Sequence, residues 1–279
     1  MESAKGKVLE PLAAVPNYSH VFDFERDFDH LAVKPWMQSN WATVCAVSCA
    51  LYIVFITLGS KVMSSRPRFE LRGPLFLWNV GLATFSVVGA LRTLPELFHV
   101  VTTQGLYHSV CVPSFIEHDK VAGFWTLMFV GSKVPELGDT VFIVLRRQPL
   151  IFLHYYHHVT VLAYSWFSYA EYTASARWFI VMNYMVHSVM YSYFALKAAK
   201  VRVPKQVSML ITFLQISQMV VGCLVNVLVI QTVNAGRECH VSRANIGLSL
   251  AMYASYFALF GHFFYVNYLT PKKPAVKTE

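Results

Sequence analysis

"PLIFLHYYHHVTVLAYSWFSY" occupies residues 149–169 and contains no Asp, Glu, Lys or Arg. A helix of about 20 apolar residues crosses a bilayer, so this stretch has the length and the lack of charge of a transmembrane helix. What an ordinary span avoids is its cluster His154, His157 and His158. Working outward, six further apolar blocks lie at about 41–60, 74–94, 121–145, 177–196, 206–231 and 245–268. The chain has 279 residues, 56% hydrophobic and 14% charged, against roughly 25% charged in a soluble domain. The expected fold is therefore all-α and polytopic, with seven transmembrane helices over residues 41–268. A lumenal arm at 1–40 precedes them and a cytosolic tail at 269–279 follows. The alternating segments of about ten residues that a β-barrel needs are missing from the sequence.

The formal net charge of +8 would suit nucleic acid, but its distribution follows topology instead. If the spans alternate in direction, one side receives Lys61, Arg66, Arg68, Arg72, Arg146, Arg147, Lys197, Lys200, Arg202, Lys205, Lys272, Lys273 and Lys277, thirteen of the 23 Lys and Arg. The loops opposite hold Lys120, Arg177, Arg237 and Arg243, and the arm adds Lys5, Lys7, Arg26 and Lys34. The positive-inside rule then places the C-terminus in the cytosol and the N-terminus across the membrane. Cys111 and Cys239 fall in loops on the non-cytosolic side, where an oxidising lumen permits a disulfide; two free thiols are the alternative. Cys45, Cys49 and Cys223 lie within apolar spans and read as packing residues. Asn17-Tyr18-Ser19 is a glycosylation sequon in the arm. The first 20 residues lack the apolar core of a cleavable signal, so the first span is expected to direct insertion. Pro74, Pro149 and Pro204 suit helix starts, whereas Pro135, inside the third block, predicts a kink.

On a helix, His154, His157 and His158 sit at i, i+3 and i+4 and share one face about 100° wide. Counted along the helix rise, they lie roughly 8–14 Å from the cytosolic end. The same count brings Asn183, His187 and Tyr191 of the fifth span, Lys133, Glu136 and Asp139 of the third, Thr212, Gln215 and Gln218 of the sixth and His262 of the seventh to about 9–20 Å. Taken singly, these are ion pairs or interhelical glue. A charged group at mid-depth costs about 2.5–3.5 kcal/mol to insert, so several at one level indicate a built site.

The H-x-x-H-H spacing is known from histidine-rich di-iron enzymes, which draw on about eight ligands. Only His154, His157, His158, His187 and His262 lie at the right depth here, too few for two irons, although a single zinc stays open. A proton-coupled lipid transporter could use the Lys, Asp and His chain, but the sequence has no inverted repeat to support it. Neither a receptor-type motif after the third span nor one in the seventh is present. The remaining chemistry is nucleophilic. Neutral imidazole attacks a thioester, forms an acyl-imidazole and splits one transfer into two steps, and a dry site protects that adduct from hydrolysis. An amphiphilic substrate would lay its tail between helices. Its anionic head would meet Arg146, Arg147, Lys197, Lys200, Arg202 or Lys205, residues that also suit anionic lipid.

"SKVPELGDTVFIVLRRQPLIFLHYYHHVTVLAYSW", "NYMVHSVMYSYFALKA" and "TFLQISQMVVG" resemble the ELO family of very-long-chain fatty acid elongases, and the resemblance covers nearly all of residues 40–268. Lys133, Glu136, Leu137, Asp139 and Thr140 match K-x-x-E-L-x-D-T; His154, His157 and His158 match H-x-x-H-H. Asn183 and His187 match N-x-x-x-H, with Tyr191 following, and Thr212, Gln215 and Gln218 match T-x-x-Q-x-x-Q. The resemblance implies seven spans in the endoplasmic reticulum, six of them around a closed-ended acyl tunnel, and a Cys111–Cys239 disulfide. It implies condensation of an acyl-CoA with malonyl-CoA to 3-oxoacyl-CoA, CO2 and CoA, with no metal or other cofactor. Implied partners are membrane lipid and the ketoacyl-CoA reductase, dehydratase and enoyl reductase of the elongation cycle, not nucleic acid; a homodimer is compatible with it. The wording suits the branch that acts on saturated and monounsaturated chains, although Tyr155 stands where relatives in that branch have Trp. The expected roles are His157 as nucleophile and His187 as alternative or helper. His154 and His158 would orient and relay protons, Lys133, Asn183 and Gln215 would donate to the developing enolate, and Asp139 would fix a histidine tautomer. Glu136, Tyr191, Thr212, Gln215, Gln218, His262, Arg146, Arg147, Lys197 and Lys205 would bind substrate.

Overall fold

The computed structural model describes residues 15–270, so Lys5, Lys7 and nearly all of the tail, Lys272, Lys273 and Lys277 included, lie outside the described residues. Within them all regular structure is helical: α1 (Asp23–Arg26), α2 (His30–Ser64), α3 (Arg72–Thr103), α4 (Gly105–Cys111), α5 (Ser114–Glu117), α6 (Lys120–Ser132), a 3₁₀ turn (Pro135–Leu137), α7 (Gly138–Leu145), α8 (Phe152–Ala170), α9 (Ala176–Ala198), α10 (Lys205–Asn234), α11 (Arg243–Phe264) and a π-helical turn (Tyr265–Leu269). Five are long and apolar enough to cross a membrane: α2, α3, α9, α10, and α11 with its π turn. The chain is thus a multi-pass membrane protein. Two of the seven expected spans differ. The third is α6, the 3₁₀ turn and α7 in series, because Pro135 has no N–H to continue the ladder. The 19 residues of α8 are long enough, but their histidines and tyrosines dilute its hydropathy.

Helix ends follow local rules. Asp29 caps α2, Asp119 caps α6 through the Val121 and Ala122 amides, and Ser242 caps α11 through Asn245. Residue 30, not 41, starts the first long helix, so residues 30–40, read as arm, are its first turns; Pro35 lies inside it. Helices α7, α8, α9 and α10 each end in a left-handed residue, Arg147, Tyr172, Lys200 and Gly236. The six-to-one bonds of Schellman caps follow, as in Gln148 N–H to the Ile143 carbonyl at 2.9 Å.

The long elements alternate in direction. Helices α3, α6–α7, α8, α11, α10 and α9 pack pairwise in that order, and α9 returns to α3, closing a ring; α2 lies outside it against α7 and α8. Close approach of α3 to α9 depends on Gly89, where a Cβ would fall 2.3 Å from the Tyr184 ring. One end of the bundle is a braced cap. Arg177, 1% exposed, pairs with Glu96 at 2.8 Å and donates to the Ser109 carbonyl and Ser114 Oγ, both at 2.7 Å. The arm docks on the same end: Arg92 and Trp125 donate to the Glu25 carboxylate, and Tyr18 donates to Asp119 Oδ2 at 2.7 Å. Burial pushes the Asp119 carboxyl above its ordinary value, against the lowering effect of that Tyr18 bond.

Cys111 and Cys239 are joined, as the resemblance implies, across a separation of 128 residues. The bond ties α4 to the α10–α11 connection, where the His240 amide also donates to the Cys111 carbonyl at 2.9 Å. Closing a long loop is worth about 2–4 kcal/mol. Cys239→Ser should lower the thermal midpoint by roughly 5–10 °C, and reductant should reproduce the shift in the unsubstituted protein. An unchanged midpoint would show that the brace does not depend on the bond.

Candidate active site

A cavity of about 420 Å³ opens between α8, α9, α10 and α11, in the half of the bundle away from the disulfide. Asp139, His154, His157, His158, Asn183, His187, Tyr191, Thr212, Gln215 and Gln218 all line it. The polar groups placed at one depth by the helix rise therefore do converge. A narrower, largely apolar slot of about 50 Å³ continues toward the disulfide end, between Phe129, Val161, Phe179 and Tyr253. The two spaces share His157, Asn183, Gln218 and Met219. His157 thus stands where the wider chamber, which holds the convergent polar groups, meets the narrower slot.

Behind the chamber wall runs a chain of buried bonds. Lys133 and Glu136, side chains 1% and 4% exposed, pair at 2.8 Å, and Ser132 Oγ donates to the same carboxylate at 2.7 Å. Lys133 Nζ also donates to Asn183 Oδ1 at 3.3 Å, and Asn183 Nδ2 faces His187 Nε2 at 3.2 Å. An ammonium has only donors, so Asn183 must turn its oxygen to Lys133 and its NH2 to His187. His187 Nε2 is then an acceptor, and the ring carries its hydrogen on Nδ1. The spacing of Asn183 and His187 at i and i+4 puts both on one stripe of α9.

The histidine box has unequal members. His154 Nε2 bonds Thr140 Oγ1 at 2.8 Å. His158 is 7% exposed, with its ring 4.5 Å from that of His154 and 6.3 Å from Tyr52. His157 packs beside Tyr256, ring centroids 4.9 Å apart. Tyr256 OH meets Thr160 Oγ1 at 2.6 Å and the His157 backbone carbonyl at 3.3 Å. Among the described residues, no side chain hydrogen-bonds the His157 imidazole. No group of three or more His, Cys, Asp or Glu among them is arranged to hold a metal ion.

Several expected roles change. Asp139 fixes no histidine: its oxygens accept from Trp78 Nε1 at 2.6 Å and Tyr191 OH at 2.9 Å, and the histidine contact comes from its neighbour Thr140. Lys133 and Glu136 do not line the chamber; they bond each other, and Lys133 also bonds Asn183, which does line it. His262 is exposed; α11 turns Tyr256, Phe260 and Phe263 inward instead. Depth along a helix does not decide azimuth. Gln215 reaches Met190 Sδ at 3.3 Å and Thr212 reaches Tyr268 OH at 3.4 Å. Arg147, Lys197, Lys200, Arg202 and Lys205 are exposed, with Arg146 half-buried, all at the end away from the disulfide. None lines the chamber, but Lys205 Nζ stands 5.4 Å over the ring of Tyr268, a chamber residue. Tyr52 of α2 and Trp78 of α3, neither expected from the sequence, bond Thr140 and Asp139 respectively, and Thr140 in turn bonds His154. Tyr52 carries one weak signal, a seven-residue spacing from Cys45 that repeats a helix face.

Fold and site define a multi-pass α-helical membrane protein with an internal histidine-lined chamber and an apolar extension. The chain belongs to the ELO family, described as the GNS1/SUR4 family, whose model matches residues 36–276. It is 60% identical, over 93% of its length and 83% of the relative's, to the very long chain fatty acid elongase 6 of Drosophila melanogaster. It is 48% identical to the human protein of that name, covering 92% of this chain and 96% of that one. A putative fatty acid elongase 3 of Caenorhabditis elegans is 45% identical over 93% of this chain and 81% of its own.

Proposed function

We propose that this protein catalyses the condensing step of fatty acid elongation, joining an acyl-CoA to malonyl-CoA to give 3-oxoacyl-CoA, CO2 and CoA. Family membership and the elongase names of its relatives support the reaction class. The observation that carries the mechanism is the position of His157, an imidazole without a side-chain hydrogen-bond partner among the described residues, between the chamber and the slot. In the first stage neutral His157 attacks the thioester carbon. The C–S bond breaks, the imidazolium proton passes to the leaving thiolate, and CoA departs. In the second, malonyl-CoA loses CO2, the electron pair left on its C2 attacks the acyl carbon, the C–N bond breaks, and the leaving imidazolate takes up one proton from solvent, which restores neutral His157. Asn183 and Gln215 are the donors facing the chamber for the transient oxyanions. His187, His154 and His158 orient groups and carry protons. The acyl tail runs through the chamber toward the mouth of the slot, and the apolar walls exclude water from the adduct.

The same reading takes α6–α7 and α8 as two further crossings, seven in all, with six around the acyl tunnel. It places the protein in the endoplasmic reticulum, with the disulfide end and exposed Asn17 lumenal and glycosylated, and the basic end cytosolic, near the CoA head groups. Saturated and monounsaturated chains are the substrates, no metal or redox cofactor takes part, and the reductase, dehydratase and enoyl reductase of the cycle take up the product.

The purified protein in lipid, given acyl-CoA and carboxyl-labelled malonyl-CoA, should release labelled CO2 in step with 3-oxoacyl-CoA, and a chelator should leave the rate unchanged. Absence of both products would remove the condensation reading. Loss of activity to chelator with recovery on added zinc would move the chemistry to a metal.

A further inference from the structure

Helix α2 stands outside the helix ring, yet one of its side chains reaches the reaction centre. Tyr52 OH lies 2.7 Å from Thr140 Oγ1, which lies 2.8 Å from His154 Nε2. Tyr52 and Thr140 are 4% and 0% exposed, so each hydroxyl must find its partners within the protein. Thr140 makes no bond back to its own helix, unlike Thr57, Thr93 and Thr160, which donate to carbonyls one turn earlier. Its one hydrogen is therefore shared only between Tyr52 and His154.

Three arrangements are conceivable. If Tyr52 and His154 both donated to Thr140, the buried Thr140 hydrogen would be left without an acceptor among the described residues. If His154 donated to Thr140 and Thr140 to Tyr52, the Tyr52 hydrogen would be left without an acceptor among the described residues. Leaving a buried donor unmet is costly. If Tyr52 donates to Thr140 and Thr140 donates to His154 Nε2, both buried hydroxyl hydrogens are used, and the hydrogen left over is on a ring that lines the chamber. His154 then accepts at Nε2 and carries its own hydrogen on Nδ1. The fixed ring abuts His158 at 4.5 Å, and His158 in turn abuts His157 at 5.7 Å.

We propose that Tyr52 is a positioning residue for elongation, acting through Thr140 to hold His154 in one tautomer and orientation. The inference rests on the condensation reading of this site. With Lys133–Asn183–His187 it makes two independent donor chains, one from each side, that set the imidazoles flanking His157.

The test is a double-mutant cycle in lipid, scored by CoA release and labelled CO2 and paired with thermal midpoints. Tyr52→Phe should lower kcat about tenfold or more, short of the ~10⁴-fold seen when a catalytic tautomer is inverted outright. The KM for acyl-CoA should stay within about twofold, because Tyr52 touches no substrate, and the midpoint should fall by no more than a few degrees, the cost of about one buried hydrogen bond. In a Thr140→Ser background the wire persists, so the Tyr52→Phe loss should recur in full. In Thr140→Val it is already cut, so the further loss should vanish. If Thr140→Val does not fold, the kcat-against-KM split and the Thr140→Ser cycle decide. Full activity of Tyr52→Phe overturns the inference, as does an undiminished loss in Thr140→Val, which would mean that Tyr52 acts by packing. An unsubstituted protein that forms no product overturns the condensation reading and this inference with it.

Discussion

Replacing His157 with alanine should reduce CO2 release from malonyl-CoA to background, a loss of at least ~10³-fold, while the protein keeps its thermal midpoint. His157 makes no side-chain hydrogen bond within the described residues, so its removal breaks no network. It leaves a small space beside Tyr256, which keeps its bond to Thr160 at 2.6 Å. Lost chemistry with retained fold is the signature of a group that reacts and does not merely support. His187→Ala is the informative contrast. If His187 only orients and relays, its loss should slow turnover without preventing acylation by acyl-CoA alone. If instead His187→Ala blocks acylation and His157→Ala does not, the nucleophile is His187. Near-normal turnover by His157→Ala would remove that residue from the chemistry.

Lys133→Met should carry the largest cost in stability, about 3–5 kcal/mol, because it leaves the Glu136 carboxylate buried without its counter-charge. The side chains are 1% and 4% exposed, so water does not replace the lost partner. Adding Glu136→Gln removes the orphaned charge while Ser132 can still donate to the amide oxygen, and most of the lost stability should return. Activity should not return. Without Lys133, nothing holds the Asn183 oxygen away from His187, and the amide is free to turn over, presenting an acceptor where the imidazole needs a donor. The double variant should therefore fold nearly as the unsubstituted protein does and elongate at least tenfold more slowly. Joint recovery of stability and rate would reduce the buried pair to a purely structural role.

Much of this architecture can be read from residue order because the bilayer imposes length and polarity together. The apolar blocks appear as helices, and Pro135 breaks the third as its missing N–H requires. His154, His157 and His158 share a face, and Asn183 bonds His187 because i and i+4 are neighbours on any helix. Depth, too, follows from a constant rise per residue. What residue order leaves open is rotation about each axis. His262 has the right depth and faces outward, since α11 buries Tyr256 and Phe260. Asp139 shares the depth of the histidine box, yet Trp78 and Tyr191 claim both its oxygens. Tyr52 looks like one more aromatic residue in an oily span until α2 is packed against α7 and α8. Partners of this kind are set by which helices adjoin, and no periodicity within one helix encodes them.

The central claim is that an imidazole facing the junction of chamber and slot carries the acyl group between two half-reactions. Its most direct measurement is the intact mass of the purified protein after exposure to acyl-CoA with malonyl-CoA withheld. The mechanism predicts a gain of one acyl group without CoA, mapped to His157, discharged on adding malonyl-CoA and absent from His157→Ala. A protein that turns over with both substrates, yet never gains mass with acyl-CoA alone, would contradict the covalent route and require direct transfer between the two thioesters.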